Sequence, residues 1–312
     1  MLALAAALSV AQAQTGKWPE KPVRIIVAAP TGGGDDFVTR LIAPRLAELL
    51  GRSFVTENRP GVGGMIGQNL VLKSAPDGYT FLLAGGSMAG ARFVNAQVTY
   101  DVLRDFTPVS LLETSPFVMV AHPGVPAKNL KEYIALARAQ PGKMTYATLG
   151  AGQMPFWNAL LFNSMASVQA VEVQYKNFAD AIVDVISGRV DYVFAPSALA
   201  VANKARLRAL AITGGSRLAM FPEVPTMAEA ALPDYDLPAW RSVMGPAGLR
   251  RDIVESLNAA IARALGSPDI RERLIQAGSQ PAPSTPEDLS KRYADWILIF
   301  GKIAKETGLK PQ

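Results

Sequence analysis

The sequence predicts an α/β protein folded as two lobes, and three observations support this prediction. Short runs rich in β-branched and aromatic residues alternate with segments of helical period through most of the chain, which is the pattern of βα units around largely parallel sheets. The chain has 312 residues, 49% of them hydrophobic, enough to bury two ordinary cores. The section from Pro116 onward holds enough strands and helices for a complete second lobe.

In the first lobe, the predicted strands are Pro22–Ala29, Ser53–Glu57 and Tyr79–Ala84. The first strand is followed by a turn that contains a proline and three glycines. A helix comes next, and its apolar face ends at Gly51. A second helix is predicted to end near Lys73. Loops therefore follow the carboxyl ends of these strands, where open α/β sheets bind ligands.

The second lobe and the chain end follow the same pattern. The predicted strands of the middle section are Pro116–Ala121, Met144–Thr148, Val171–Val173, Val190–Phe194 and Leu207–Thr213. Asn129 is placed to cap one helix, and Ile182, Val183 and Ile186 predict the buried face of another. A crossing strand is predicted at Arg241–Gly245, and a last helix begins at Thr285 with proline in its first turn. We expect this apolar helix to dock on the first lobe.

Composition and charge exclude several function classes. Lysine plus arginine (31) exceed aspartate plus glutamate (26), but the basic residues are scattered, which argues against nucleic-acid binding and leaves a mild attraction for anions. The chain has no cysteine, so it has no disulfide or thiolate chemistry.

The first residues predict export. Met1–Gln14 is uncharged and apolar, and Ala11-Gln12-Ala13 has the small-residue pattern of a signal peptidase site. We expect a signal peptide over residues 1–13, cleaved near Ala13, and a soluble periplasmic protein after cleavage. The alternative is a short membrane anchor, but a bilayer needs about 20 apolar residues and this run has fewer.

Eight short motifs occur in a fixed order along the chain. They are Trp18-Pro19-Glu20-Lys21-Pro22, Pro30-Thr31-Gly32-Gly33-Gly34, Glu57-Asn58-Arg59-Pro60-Gly61, Ala75-Pro76-Asp77-Gly78-Tyr79, Tyr175-Lys176, Leu207-Arg208-Ala209-Leu210-Ala211, Val224-Pro225-Thr226 and Gly245-Pro246-Ala247-Gly248. This ordered set resembles the substrate-binding proteins of tripartite tricarboxylate transporters, the Bug (Bordetella uptake gene) family. The resemblance runs nearly end to end.

The resemblance implies a type II periplasmic-binding fold, with two lobes, a cleft between them and two crossing segments. Residues 14–115 and 240–312 would form lobe 1, and residues 116–239 would form lobe 2. The implied function is capture of a small organic acid or related polar ligand by hinge closure, followed by delivery to a membrane permease of the tripartite tricarboxylate type. We expect a monomer without cofactor.

The strongest candidate for a ligand contact is the turn after the first strand. It contributes the candidates Thr31, Gly32, Gly33, Gly34, Asp35 and Asp36. Unpaired N–H groups and the helix dipole favour an anion there, although a tight turn without ligand is the plain alternative. The resemblance implies a ligand-facing threonine or serine at Asp35, and a carboxylate there would repel a bound carboxylate. Either Asp35 turns away, or the ligand carries an amine, amide or hydroxyl at that end.

Further candidates come from the other loops that the resemblance marks. They are Ser87, Gly150, Gly152, Gln153, Phe156, Trp157, Tyr175, Lys176 and Ser197, with Arg92 and Arg241 as weaker ones. Phe156 and Trp157 stand where relatives carry small hydroxyl residues, which suggests a flatter or more apolar ligand; aromatic residues are as often part of a core. Lys176 can neutralise a carboxylate.

Enzymatic function is the main competing class, and we predict that the chain has no catalytic residue and no metal site. His122 is the single histidine, and the sequence contains neither a GxSxG nor an HExxH motif. Asp35 and Asp36 are adjacent at a helix start, so their carboxylates do not face each other. The alternatives that stay open are a sensor that presents its closed form to a membrane receptor and, less favoured, a hydrolase.

Overall fold

The computed structural model describes residues 18–312, so the predicted signal peptide lies outside the described residues. The strands are β1 (Val23–Val27), β2 (Phe54–Asn58), β3 (Thr80–Gly85), β4 (Phe106–Ser115), β5 (Phe117–Ala121), β6 (Met144–Thr148), β7 (Ala170–Gln174), β8 (Tyr192–Pro196), β9 (Arg208–Ile212), β10 (Ala239–Pro246) and β11 (Gln280–Pro281). The helices are α1 (Gly34–Leu50), α2 (Met65–Leu72), α3 (Ala91–Val94), α4 (Leu130–Ala139), α5 (Met154–Ala166), α6 (Phe178–Ile186), α7 (Ser197–Ala202), α8 (Met227–Ala230), α9 (Arg251–Leu265), α10 (Pro268–Gln276) and α11 (Pro286–Thr307).

The strands form two sheets. The first has the order β11-β4-β10-β3-β1-β2, and the second has the order β7-β6-β8-β5-β9. Strands β1, β2 and β3 are parallel, whereas β10 is antiparallel to both β3 and β4. The α/β class predicted from the sequence is confirmed.

The chain passes between the sheets at two places. It leaves the first sheet at the end of β4 and enters the second at β5, with Pro116 between them, and it returns at β10. Thr213 ties these passages together, because its backbone N–H donates to Phe117 and its carbonyl accepts from Leu237, both at 2.9 Å. The lobe bounds predicted from the sequence remain a proposal.

Three hydrophobic clusters hold the fold together. One lies between the first sheet and helices α1 and α9, and another lies on one face of the second sheet with α6. The largest cluster contains residues from both sheets, together with α5 and α11. The terminal helix α11 thus packs on the first sheet, as predicted, and also on α5, which follows a second-sheet strand.

Most predicted elements are confirmed. Nine predicted strands correspond to observed strands whose ends differ by at most two residues. The side chain of Asn129 accepts a hydrogen bond from the N–H of Glu132, so it caps α4 as expected. The predicted face of α6 was wrong at Val183, which is 55% exposed because Ala181, Ile182 and Val185 form the buried side.

Candidate functional site

The turn between β1 and α1 leaves a helix start open to solvent. Thr31 and the three glycines are exposed. Gly33 is the N-cap of α1 and makes no side-chain cap hydrogen bond, so the first N–H groups of the helix lack a side-chain acceptor. Gly32 has a φ of 85°, a left-handed conformation that favours glycine. This helix start suits an anion or a hydrogen-bond acceptor.

The buried side chain of Asp36 stabilises this turn. The carboxylate is buried, and its Oδ2 accepts from the N–H of Gly32 at 3.0 Å while its Oδ1 accepts from Nε of Arg40 at 2.9 Å. The hydrogen bond from Arg40 lowers the pKa of Asp36, against the effect of burial. The carboxylate therefore links the turn at Gly32 to helix α1.

Asp35 points to a different partner. Its Oδ1 accepts from Nε of Arg241 at 2.5 Å. Nη1 of Arg241 donates to Oε1 of Glu113 at 2.5 Å and to Oγ of Ser115 at 3.1 Å. Arg241 lies on β10 directly opposite Glu113 on β4. One guanidinium thus joins the first turn of α1 to the two neighbouring strands.

The Glu113 carboxylate is fully buried, and the Arg241 side chain is mostly buried, so the centre of this cluster lies largely out of water. Ser115 donates to Oε2 of Glu113 at 2.5 Å and shares a hydrogen bond with Ser279 at 2.6 Å. Burial alone would lower the pKa of Arg241, but Glu113 and Asp35 outweigh it and raise that pKa above its ordinary value. Arg241 therefore stays protonated. We name these three charged residues, Asp35, Glu113 and Arg241, the arginine triad.

The loop between β6 and α5 carries the second-lobe candidates. Gly150 and Gly152 have φ values of 97° and 85°, and Gln153 is exposed at the N-cap of α5. The N–H of Gly150 donates to Oγ1 of Thr148 at 3.1 Å. A Cβ added to Gly152 would lie 3.0 Å from Cγ2 of Val94. The loop is therefore close to the first lobe at Val94.

Phe156 and Trp157 follow this loop but lie in the core. They are 4% and 0% exposed. The Trp157 ring stacks on Phe300 of α11 with 4.3 Å between centroids, and Ser164 donates to Glu306 at 2.6 Å between the same two helices. The two lobes are therefore packed against each other where α5 contacts α11, on one side of the boundary between the lobes, which we call the seam.

The remaining candidates have separate surroundings. Tyr175 donates from its hydroxyl to Asp184 at 2.8 Å, and burial together with this bond raises its pKa to about 12. Lys176 is exposed and forms no ion pair within residues 18–312. Ser197 is buried and donates to the carbonyl of Pro116 at a crossing segment. Ser87 is half-buried in the turn after β3.

Two cavities lie within the first lobe. The larger, about 580 Å³, lies between α1 and α10, and its lining includes Arg40, Arg45, Arg263 and Arg273. The smaller, about 10 Å³, includes Arg92 in its wall. Neither is lined by a residue of the second sheet. Arg92 itself is exposed and lies 3.8 Å from Asp101.

His122 has a structural environment. Its Nδ1 accepts a hydrogen bond from the N–H of Gly124 at 3.1 Å, just after β5. Among residues 18–312, no three His, Cys, Asp or Glu side chains are grouped to hold a metal ion.

Sequence comparison decides the family. Residues 38–309 match the model of the tripartite tricarboxylate transporter family receptor. The chain is 35% identical over 297 residues to BugT of Bordetella pertussis, which covers 94% of this chain and 91% of BugT. It is 36% identical over 309 residues to a UPF0065 protein from the tcbD-tcbE intergenic region of Pseudomonas sp. strain P51, covering 98% and 92%. The chain belongs to this receptor family.

Solved members of the receptor family share the fold. The R. palustris protein Rpa4515, solved with adipate, has a TM-score of 0.81 and 32% identity, covering 95% of this chain and 100% of that one. MatC from Rhodopseudomonas palustris, solved with malate, has a TM-score of 0.77 and 30% identity, covering 92% and 100%. The periplasmic binding protein BugD has a TM-score of 0.79 and 26% identity, covering 95% and 100%.

These findings confirm the two-lobe type II periplasmic-binding fold. The family and its solved members are periplasmic solute-binding proteins, and this chain has the solute-binding role of that class. In the part of the chain that the structure describes, no helix has the length and apolar character to cross a membrane.

Sequence reasoning underestimated one residue of the first lobe and missed another. Arg241 was a weak candidate, and Glu113 had no predicted role because β4 was not among the predicted strands. The contact between Arg241 and Glu113 could not be predicted from local sequence, because the two residues are 128 positions apart.

Proposed function

We propose that this protein captures a small organic acid or a related polar ligand between its lobes and delivers it to a permease of the tripartite tricarboxylate type. The observation that carries the proposal is the exposed start of α1, which has no side-chain cap and follows the carboxyl end of β1. Such a helix start binds polar ligand groups through main-chain N–H donors. The other contacts in the proposal are Gly150, Gly152 and Gln153.

The exposure of the candidate loops supports this assignment. Thr31, Gln153 and Lys176 are exposed and belong to three different strand ends. Asp36, Phe156, Trp157 and Ser197 are buried. We therefore propose that these four buried residues support the site and do not contact the ligand.

Ligand capture by closure needs a hinge, and the two crossing passages offer one. Within residues 18–312, the two sheets are joined covalently only by the β4–β5 link at Pro116 and the link into β10, and both contact Thr213. We propose that the lobes rotate about these passages when the ligand binds. The packed flank of α5 and α11 would then limit how far they open.

The class of ligand follows from the solved relatives and from this chain's own charges. Rpa4515 was solved with adipate and MatC with malate, both dicarboxylates. The exposed cation Lys176 suits one carboxylate at the second lobe. We propose a ligand with at least one carboxylate or similar polar end.

The cellular setting is also part of the proposal. We propose that residues 1–13 direct export and are cleaved near Ala13, and that the mature protein acts in the periplasm as a monomer. Delivery to a permease and presentation to a receptor require the same closure. The two functions are therefore distinguished by measuring ligand uptake in cells. A strain lacking this protein would lose ligand uptake if the partner is a permease.

Thermal unfolding with a panel of aliphatic, aromatic and amino acids tests the proposal. A ligand that binds only the folded state raises the unfolding temperature, and the shift grows with ligand concentration. Each stabilising compound is then incubated with the protein and assayed for chemical change. Stabilisation without turnover supports the proposal, whereas turnover would replace it with an enzymatic function.

A further inference from the structure

The arginine triad leaves one donor atom and one acceptor atom without a hydrogen-bond partner. Within residues 18–312, Oδ2 of Asp35 and Nη2 of Arg241 have no hydrogen-bond partner, although Oδ1 and Nε of the same groups are bonded to each other. Nε and Nη2 lie on one edge of the planar guanidinium. The free donor is therefore next to the Asp35 carboxylate.

This pair lies directly against the triglycine turn. A Cβ built on Gly34 would clash with Nη2 of Arg241, so the guanidinium lies against the first residue of α1. The side chains are 18% exposed at Arg241 and 38% exposed at Asp35. Both side chains are therefore partly exposed beside the main-chain N–H groups of the turn.

The charge of the triad disfavours a ligand carboxylate at this place. One guanidinium is shared between two carboxylates, so the triad has a net charge of −1 when all three residues are ionised. A carboxylate can accept from Nη2, but it has no proton to donate to Asp35 and meets a like charge. A primary carboxamide accepts through its oxygen and donates through its NH₂ group, so it satisfies both free atoms.

We propose that Asp35 and Arg241 select the ligand's end group at the first lobe, and that this group is an uncharged primary carboxamide rather than a carboxylate. The inference rests on the proposed function, because it assigns the chemistry of one end of the same site. Arg241 supplies the donor and Asp35 supplies the acceptor. Glu113 holds Arg241 in position from the buried side.

Matched acid and amide pairs test this selection. Binding constants are measured by calorimetry for succinate and succinamate, adipate and adipamate, and benzoate and benzamide. We expect the wild-type protein to bind the amide of the best-fitting pair about 10- to 100-fold more tightly than the acid, the range for one hydrogen bond to a charged group. In Asp35→Asn the negative charge is gone and the new amide can donate to a carboxylate, so the preference should fall at least ten-fold or reverse.

The control variant is Asp269→Asn, which removes a carboxylate from the first turn of α10, distant in sequence from the triad. It should leave the amide-to-acid ratio unchanged. Equal or tighter binding of the acid by the wild-type protein, or a ratio that Asp35→Asn does not alter, would overturn the inference and leave the solute-binding proposal standing. Binding of neither member of any pair would count against the proposed function, and the inference would fall with it.

Discussion

Arg241 donates from Nε to Oδ1 of Asp35 at 2.5 Å across 206 positions of sequence. The bond joins the crossing strand β10 to the first turn of α1, where the exposed triglycine turn begins the helix. Arg241 also binds the buried Glu113. A residue in the core of the first lobe therefore holds the Arg241 guanidinium in position beside the proposed ligand contacts.

Removal of the arginine should destabilise the protein strongly. Arg241→Met keeps the approximate volume but leaves the fully buried Glu113 without its cation, and loss of one partner of a buried pair costs about 3–5 kcal/mol. The free energy of unfolding is measured by urea titration. The matched control is Arg250→Met, whose ion pair with Asp252 is more than half exposed, and it should cost much less stability than Arg241→Met. Similar small losses in both variants would contradict the buried role of Arg241.

Two neighbouring glycines should respond differently to the same substitution. A Cβ at Gly34 would clash with the Arg241 guanidinium, whereas at Gly33 the nearest atom is the Pro30 carbonyl oxygen at 3.6 Å. We expect Gly34→Ala to cost about 1–3 kcal/mol and Gly33→Ala to stay within about 0.5 kcal/mol. Thermal unfolding of both variants tests the difference. Equal stability of the two would mean that the guanidinium does not lie against the helix start.

The pKa of Asp36 should make stability depend on pH in the acid range. Since folding lowers this pKa below its usual 3.8, the ionised carboxylate stabilises the fold above that pH, and the contribution disappears as pH falls through the folded-state value. Asp36→Asn should therefore lose about 1–2 kcal/mol at pH 7, and the difference from wild type should narrow below pH 3.8.

Urea titrations at pH 7 and at several values below pH 4 measure this difference. Asp269→Asn again serves as the control, because its carboxylate makes no hydrogen bond or ion pair in the described part of the chain. A gap between Asp36→Asn and wild type that stays constant down to the lowest pH would argue against a paired Asp36.

Phe300 should stabilise both lobes together. Its ring is fully buried and stacks on Trp157 across the seam, so Phe300→Ala should cost about 3–5 kcal/mol. Leu298 lies on the same helix but is 73% exposed, and Leu298→Ala should cost less than about 0.5 kcal/mol. We also expect calorimetry to show one unfolding transition for the wild type and two for Phe300→Ala. Retention of one sharp transition at wild-type stability would refute this role.

Much of the fold could be predicted because local signals agreed with tertiary structure. Helix α9 repeats a buried residue every four positions from Ile253 to Leu265, and Thr285 caps α11 by accepting from the N–H of Asp288. Strand β4 was not predicted, since Pro108 interrupts its apolar pattern. In the structure Pro108 pairs with Met244 where the register shifts, a place where a strand tolerates proline.

The site was less predictable because its chemistry depends on distant pairs. Sequence reasoning left open whether Asp35 turns away from the ligand, since nothing near it in sequence indicates Arg241. The placement of Trp157 in the core was open for the same reason, because its partner Phe300 belongs to the terminal helix. Both outcomes were set by side chains that are distant in sequence and meet only in the folded protein.

Native mass spectrometry of the protein, purified without denaturant, tests ligand capture most directly. We predict one small polar molecule per chain, released by unfolding and able to restore the thermal stability of the emptied protein when added back unchanged. Protein that carries no small molecule and that no member of the acid and amide panel stabilises would contradict the account.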